Sequence, residues 1–193
     1  MKTSTLFRLG GLAIILAQIL ALINNSLYLL QGDQPPDMFR TLLNLLGQVP
    51  IFILGLMALY ASMAQRGGVV GLIAFVLLFF STLGEIASWT MILAAAEGIT
   101  TLDQINQIAF NTAANNVFGW FYWLGLLLFG YTIFRSGVYP KVAGVLLALI
   151  VPVSYLRGLL DVMIPIFILL SFGVWVWLGW LLASKRGAVM ETI

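Results

Sequence analysis

Long apolar stretches alternate with short polar segments along the whole chain, and this pattern predicts the fold. A transmembrane helix needs about 20 mostly apolar residues. Six stretches qualify, namely residues 9–30, 42–64, 69–96, 114–134, 142–157 and 162–183. The sequence therefore predicts an all-α, polytopic membrane protein, a bundle of six transmembrane helices that forms a single transmembrane domain over residues 1–193.

The last two stretches could instead form one very long helix, but their junction favours a tight hairpin. Pro152, Gly158 and Pro165 oppose a continuous helix, and the charged residues Arg157 and Asp161 lie between them. The long side chain of Arg157 can extend the short fifth span to the membrane surface. We therefore expect two membrane crossings in this part of the chain.

The basic residues predict the orientation of these spans. Cytoplasmic loops of membrane proteins carry an excess of lysine and arginine. With six crossings, Arg40 and Arg157 lie on one side and the remaining basic residues on the other, namely Lys2, Arg8, Arg66, Arg135, Lys141, Lys185 and Arg186. We expect both termini in the cytoplasm (N-in, C-in) and a multi-pass protein of the plasma membrane.

The segment between the third and fourth spans predicts a short helix on the outer membrane surface. Thr101 and Gln104 have the spacing of a capping box. Apolar residues then recur at helical spacing over residues 101–110. The simpler interpretation, which we favour, is that this segment only connects the two spans.

The composition agrees with a membrane protein and excludes several functional classes. The chain is 62% hydrophobic and 8% charged, whereas soluble domains carry about 25% charged residues. Its net charge of +2 comes from single basic residues between apolar spans, so no nucleic acid is expected as a partner. With no histidine and no cysteine, the chain lacks the usual metal ligands and nucleophiles. We expect no catalytic residues, no metal site and no cofactor.

One carboxylate, Glu85, stands inside the third span, in the stretch FFSTLGEIASWT. A charge at the centre of a transmembrane helix costs about 2.5–3.5 kcal/mol on insertion scales, so such residues face the bundle interior. Ser81 and Ser88 share its helix face because they lie four residues before it and three after it. The sequence therefore predicts that Glu85 faces other helices.

Further polar residues lie at a similar depth, in the outer half of the bilayer, while the cytoplasmic halves of the spans are almost wholly apolar. Arg157 is the expected ion-pair partner of Glu85, although Asp161 competes for it. The candidate ligand-binding or polar cluster consists of Glu85, Arg157, Asn25, Gln48, Asn116, Ser88 and Tyr155. Such a cluster either joins the helices by buried hydrogen bonds or lines a pocket open to the outside.

Three glycines are expected at close helix contacts. Gly55, Gly125 and Gly144 lie within predicted spans. Because small residues let two backbones approach each other in a membrane, we expect a neighbouring helix beside each of them.

Several motifs resemble those of a known family. These are FRLGGLAIILA near the start, LLLFGYTIFRSGVYPKVAGVLLALI across the fourth and fifth spans, and FGVWVWLGWLL in the sixth. They are similar to a bacterial family of small six-helix integral membrane proteins of unknown function. The resemblance implies the six-helix fold and a bacterial inner membrane, and it brings no catalytic residues.

Three functional classes remain open at this point. The first is a non-enzymatic protein that binds a small amphipathic or lipid-like molecule, or serves as an accessory subunit beside membrane lipid, a second copy or a membrane-complex partner. The second is a small transporter that couples to protons or cations through Glu85. The third, an intramembrane enzyme with Glu85 as acid or base, lacks any paired carboxylate except Asp161.

Overall fold

The computed structural model describes residues 3–31, 37–101, 104–105, 109–156, 159–160 and 163–184. All secondary-structure elements in these ranges are helices, as the sequence predicts. They are α1 (Thr3–Gln31), α2 (Met38–Leu42), a π-helical segment (Leu43–Gln48), α3 (Val49–Ala96), α4 (Ala109–Ser136), α5 (Lys141–Leu156) and α6 (Met163–Ala183).

Four described segments are long and apolar enough to cross a membrane, which indicates a helical membrane protein. They are Ser4–Leu27, Met38–Ala96, Asn115–Ser136 and Met163–Ala183, while Lys141–Leu156 is apolar but shorter. Arg157 and Asp161, at the predicted junction of the last two spans, lie outside the described residues.

Helix α3 reverses direction at Gly68. The backbone there has φ 55° and ψ −155°, a conformation that glycine adopts without the steric cost of a Cβ. The rings of Tyr60 and Phe75 stack with centroids 4.6 Å apart, whereas a straight helix would separate them by about 22 Å. Gly68 therefore divides α3 into two arms, α3a (49–67) and α3b (69–96). The break lies between two of the predicted spans, 42–64 and 69–96.

Consecutive helices pack side by side and form a ring. Helix α1 contacts α3 and α6, α3 contacts α4, α4 contacts α5, and α5 contacts α6. One end of the ring, called the closed end here, contains the Gly68 turn, the starts of α1 and α5 and the ends of α4 and α6. The opposite end is called the open end.

Glycines lie where neighbouring helices touch, and the predicted contacts of Gly55, Gly125 and Gly144 are confirmed. A Cβ on Gly55 would lie 2.9 Å from the Ile14 nitrogen, and one on Gly125 would lie 3.1 Å from the Leu78 nitrogen. Gly144 faces Gly130 on α4, with backbone against backbone.

A similar glycine pair joins the first and last helices. A Cβ on Gly11 would meet the carbonyl oxygen of Gly179 and lie 2.5 Å from the Ala183 nitrogen. Since this contact lies near the start of α1 and the end of α6, it draws the ring together at the closed end.

The closed half of the ring is filled by apolar side chains. The largest fully buried residues include Ile14, Leu56, Leu59, Met63, Leu78, Leu126, Phe129, Ile133, Leu147, Ile150, Leu178 and Leu182. In a water-soluble protein, full burial of each such side chain would stabilise the fold by about 1.5–3 kcal/mol. In a membrane, close packing between the helices stabilises the core instead. The apolar cytoplasmic half predicted from the sequence corresponds to this core.

Tyr139 fixes the connection between α4 and α5 to the closed end. Its hydroxyl lies 2.7 Å from Ser62 Oγ. Ser62 Oγ donates to the Leu59 carbonyl oxygen at 2.6 Å, so Tyr139 is the donor in the first bond. Burial raises the pKa of Tyr139 to about 12.

The predicted capping box before α4 is present. The backbone nitrogen of Gln104 donates to Thr101 Oγ1 at 3.2 Å, and the backbone nitrogen of Thr101 donates to Gln104 Oε1 at 3.0 Å. Half of the predicted surface helix, including Leu102 and Ile108, lies outside the described residues. The surface helix itself therefore stays a prediction.

Candidate ligand-binding cavity

Two adjoining cavities lie at the open end of the ring. The larger, cavity A, has a volume of about 530 Å³, and the smaller, cavity B, has a volume of about 430 Å³. The residues that line both are Asn25, Gln48, Glu85 and Tyr122. Each volume falls in the range of small-molecule sites, about 300–1,000 Å³. Together they form one site with two compartments.

The walls of cavity A are mostly apolar and aromatic. They come from the start of α3a and the first half of α6, and include Val49, Phe52, Ile164, Phe167, Ile168, Phe172 and Trp175. The rings of Phe52 and Trp175 pack edge to face with centroids 5.0 Å apart. Trp175 belongs to the apolar core and Phe52 packs against it, so this ring pair separates cavity A from the closed half.

Cavity B is lined mainly by amides and hydroxyls. Its own polar residues are Asn24, Asn44, Ser81, Ser88 and Asn115. Ser88 Oγ donates to Asn115 Oδ1 at 2.9 Å, which links α3b to α4. The two cavities therefore differ in polarity, and a molecule with an apolar part and a polar part matches both.

Glu85 stands at the boundary between the two compartments. Leu78, Ser81 and Thr82 precede it on the same face of α3b, and all three are buried. The exposed surface of Glu85 therefore faces the cavities, and Glu85 lines both of them. Within the described ranges, its carboxylate has no hydrogen-bond or ion-pair partner. A polar group of a ligand can reach it there.

Arg40 is a buried charge beside cavity B. Only 2% of its surface is exposed. Its Nε donates to Asn24 Oδ1 at 3.3 Å, and its backbone carbonyl accepts from Asn44 Nδ2 at 2.9 Å. Asp37 caps the start of α2 by accepting from the Arg40 backbone nitrogen at 2.8 Å. Arg40 thus holds two amides of the cavity wall in place.

The structure brings together only part of the cluster proposed from the sequence. Asn25, Gln48 and Glu85 line both cavities, and Ser88 lines cavity B. Arg157 lies outside the described residues. The predicted ion pair between Arg157 and Glu85 therefore stays a prediction.

Two members of the proposed cluster are not among the lining residues of either cavity. Asn116 is exposed, and its neighbour Asn115 lines cavity B instead. Tyr155 is 67% exposed, and its ring packs against Trp123 with centroids 6.1 Å apart. Successive helical residues differ by about 100° in direction, which explains the exchange of Asn115 for Asn116.

Several residues that line or border the site are not distinguished by the sequence pattern. Arg40 lies between two predicted spans, where a basic side chain is usually solvated, although it packs into the bundle. The aromatic wall of cavity A was not distinguished from lipid-facing residues, because aromatic side chains suit both positions. Tyr122 lies between Trp120 and Trp123, and aromatic residues near a span end are common at the membrane surface, so nothing in the sequence distinguishes it.

The described part of the chain offers no group of three or more His, Cys, Asp or Glu side chains that could hold a metal ion. The polar groups available in the cavities are amides, hydroxyls and one carboxylate. Such groups can orient a ligand by hydrogen bonds, and the carboxylate can bind a cation or a proton.

No protein-family model, curated protein or solved structure matches the chain. The resemblance to a family of small six-helix membrane proteins therefore stays a prediction.

Proposed function

We propose that the chain is a non-enzymatic, multi-pass membrane protein that binds a small amphipathic or lipid-like molecule in cavities A and B, on its own or as an accessory subunit. One observation carries this proposal. An aromatic compartment and an amide-rich compartment share Glu85 at their boundary, and the other half of the ring is filled. Sites for small ligands combine apolar walls with a few placed polar groups in the same way.

The proposed topology has six crossings of a bacterial inner membrane, with both termini in the cytoplasm and the cavities facing outward. The reversal at Gly68 supports the division of α3 into two crossings. The charges of the described residues support the orientation. The closed end carries four of the five described basic residues (Arg8, Arg66, Arg135 and Lys141), whereas Arg40 and the described carboxylates, Asp37, Glu85 and Glu97, lie toward the open end.

Cysteine labelling tests this topology. Val69 follows the Gly68 turn and is 73% exposed, and Ile99 lies beyond the other end of α3b and is 74% exposed. In intact cells, an impermeant maleimide should label Ile99→Cys and leave Val69→Cys unlabelled until the membrane is permeabilised. Equal labelling of the two variants in intact cells would exclude a crossing between them.

A transporter that uses Glu85 as its proton or cation site is the second candidate. The absence of a partner for Glu85 among the described residues supports it, because an unpaired carboxylate inside a bundle often marks an ion pathway. The filled core at the closed end argues against a continuous pathway. Binding without transport therefore fits the geometry better.

Native mass spectrometry of the full chain, released from membranes in mild detergent, tests ligand binding. Ala21 is buried and lines cavity A, so Ala21→Phe should fill part of the cavity. The wild type should retain a small amphipathic molecule, and Ala21→Phe should retain about tenfold less, since loss of about 1.4 kcal/mol of contact energy gives that factor.

The matched control is Ala61→Phe, because Ala61 is exposed on α3a and lines neither cavity. It should retain the molecule as the wild type does. Wild-type protein that carries no molecule, or equal retention by both phenylalanine variants, would contradict the proposal. Melting curves confirm that each variant is folded.

A further inference from the structure

We propose that a second site, at the closed end, binds a phosphate group through Arg66 and Arg135. A pocket of about 290 Å³ lies between the Gly68 turn and the end of α4, lined by both arginines, Tyr131 and Thr132. This pocket shares no lining residue with cavities A and B. The inference therefore does not rest on the function proposed for those cavities.

Close packing of the turn against α4 brings the two arginines to one pocket. A Cβ on Gly67 or on Gly71 would lie 3.0 Å from Thr132 Cγ2. Only glycine at these positions allows this approach without a shift of the neighbour. Arg66 precedes the turn directly and Arg135 follows Thr132 by three residues, so both arginines line the same pocket.

The donors around this pocket suit a phosphate. A guanidinium presents a planar set of N–H donors that matches phosphate oxygens two at a time. The arm α3b begins here, and the first backbone N–H groups of a helix attract anions. Tyr131, whose side chain carries a hydroxyl donor, also lines the pocket. Thr132 offers no such donor, because its Oγ1 donates to the Leu128 carbonyl oxygen at 2.8 Å.

The charges of the two arginines are not balanced by carboxylates in the described part of the closed end. Asp37, Glu85 and Glu97 are the acidic residues within the described ranges, and all three lie toward the open end. Lys141 adds a further positive charge nearby, with its Nζ 5.4 Å from the centre of the Phe134 ring. An anion bound between Arg66 and Arg135 would reduce the repulsion among these charges.

A phospholipid is one source of the phosphate group and free phosphate is the other. Basic pockets between transmembrane helices bind anionic lipid head groups. Exposed apolar side chains beside the pocket could contact the acyl chains, namely Val69, Phe134 and Val142. The pocket also lies where the helices end, which is the depth of a head group.

Lipid titration followed by native mass spectrometry tests this site in the purified full chain. Phosphatidylglycerol should bind the wild type about tenfold more tightly than phosphatidylcholine does. Arg66→Gln with Arg135→Gln should lower the phosphatidylglycerol affinity about 25-fold, since loss of each direct guanidinium–phosphate contact is expected to cost about fivefold. The phosphatidylglycerol affinity of Arg66→Lys with Arg135→Lys should lie between those of the wild type and the glutamine variant, because lysine keeps the charge and loses the paired donors.

The control variant is Arg8→Gln with Lys141→Gln, which removes the same charge from the closed end without touching the pocket lining. It should keep the affinity within about twofold of the wild type. In the second arm, inorganic phosphate replaces lipid at constant ionic strength, and the melting temperature is recorded. If phosphate raises the melting temperature only when both arginines are present, while phosphatidylglycerol binds no more tightly than phosphatidylcholine, the site is assigned to free phosphate.

Two results would overturn the inference. One is equal loss of lipid affinity in the pocket variant and in the control variant, which would mean that only the total charge matters. The other is a wild-type protein that responds neither to phosphatidylglycerol nor to phosphate. Both arginines are exposed, so the pocket variants should fold, and their melting temperatures without ligand verify this.

Discussion

Replacing Gly144 by leucine is expected to prevent α4 and α5 from packing together. A Cβ at position 144 would meet the carbonyl oxygen of Gly130 and lie 2.8 Å from the Phe134 nitrogen. These are backbone atoms of a facing helix, so they cannot rotate away as a side chain could. Overpacking costs about 1–3 kcal/mol where side chains can adjust, and we expect about 3 kcal/mol or more here. Thermal unfolding in detergent measures the loss.

Gly173 provides a matched control in α6. No atom lies within 4 Å of a Cβ built on Gly173. Gly173→Leu should therefore leave the unfolding temperature unchanged or raise it, because glycine in a helix interior is about 1 kcal/mol less favourable than alanine or a similar helix former. Equal destabilisation by the two leucine variants would mean that the α4–α5 contact is not a close one.

Replacing Glu85 by glutamine should raise the free energy of unfolding by about 2 kcal/mol. A charge inside a membrane bundle costs about 2.5–3.5 kcal/mol on insertion scales. The described residues provide no ion pair for Glu85 to offset that cost. Glutamine has nearly the same shape and removes the charge. Chemical or thermal unfolding in one detergent gives the difference between variant and wild type.

The control for this experiment is Glu97→Gln. Glu97 is an exposed carboxylate just beyond α3b, and its replacement should change the stability by less than about 0.5 kcal/mol. The opposite sign for Glu85→Gln would indicate the ion pair with Arg157 that the sequence favours, since breaking a buried pair costs about 3–5 kcal/mol. In that case Arg157→Met should recover part of the loss, and Glu85 would serve structure rather than ligand binding.

The apolar pattern was sufficient to predict an all-helical membrane protein, because a chain with so few charges can satisfy its backbone in a membrane only by helices or a closed barrel. The turn inside α3 at Gly68 falls between the predicted spans 42–64 and 69–96. The helix ends were less well determined. Helix α1 begins at Thr3 and ends at Gln31, beyond the predicted span 9–30 at both ends, because polar residues at the membrane surface continue the helix.

Four residues of the predicted cluster line the cavities, namely Glu85, Asn25, Gln48 and Ser88, and Glu85 was the most clearly indicated of them. Glu85 stood out because a carboxylate is costly in that position, but the neighbours of a side chain depend on helix rotation and on how far apart the helices lie. The pattern could not show that Asn115 rather than Asn116 lines cavity B. It also could not show that Arg40 packs into the bundle, because basic residues near helix ends are usually solvated.

The fluorescence of Trp175 tests most directly whether an amphipathic molecule enters the cavity. Trp175 lines cavity A and only 3% of its surface is exposed. In a variant whose other five tryptophans are replaced by phenylalanine (the chain has six), a medium-chain alcohol brominated at its chain end can quench Trp175 only from inside the cavity. A second variant that keeps only Trp180, which is 56% exposed, reports the alcohol dissolved in the detergent.

We expect saturable quenching of Trp175 that Ala21→Phe abolishes, and quenching of Trp180 that rises steadily with concentration and does not respond to Ala21→Phe. Absence of Trp175 quenching, or equal quenching with and without Ala21→Phe, would contradict a ligand-binding cavity at the open end.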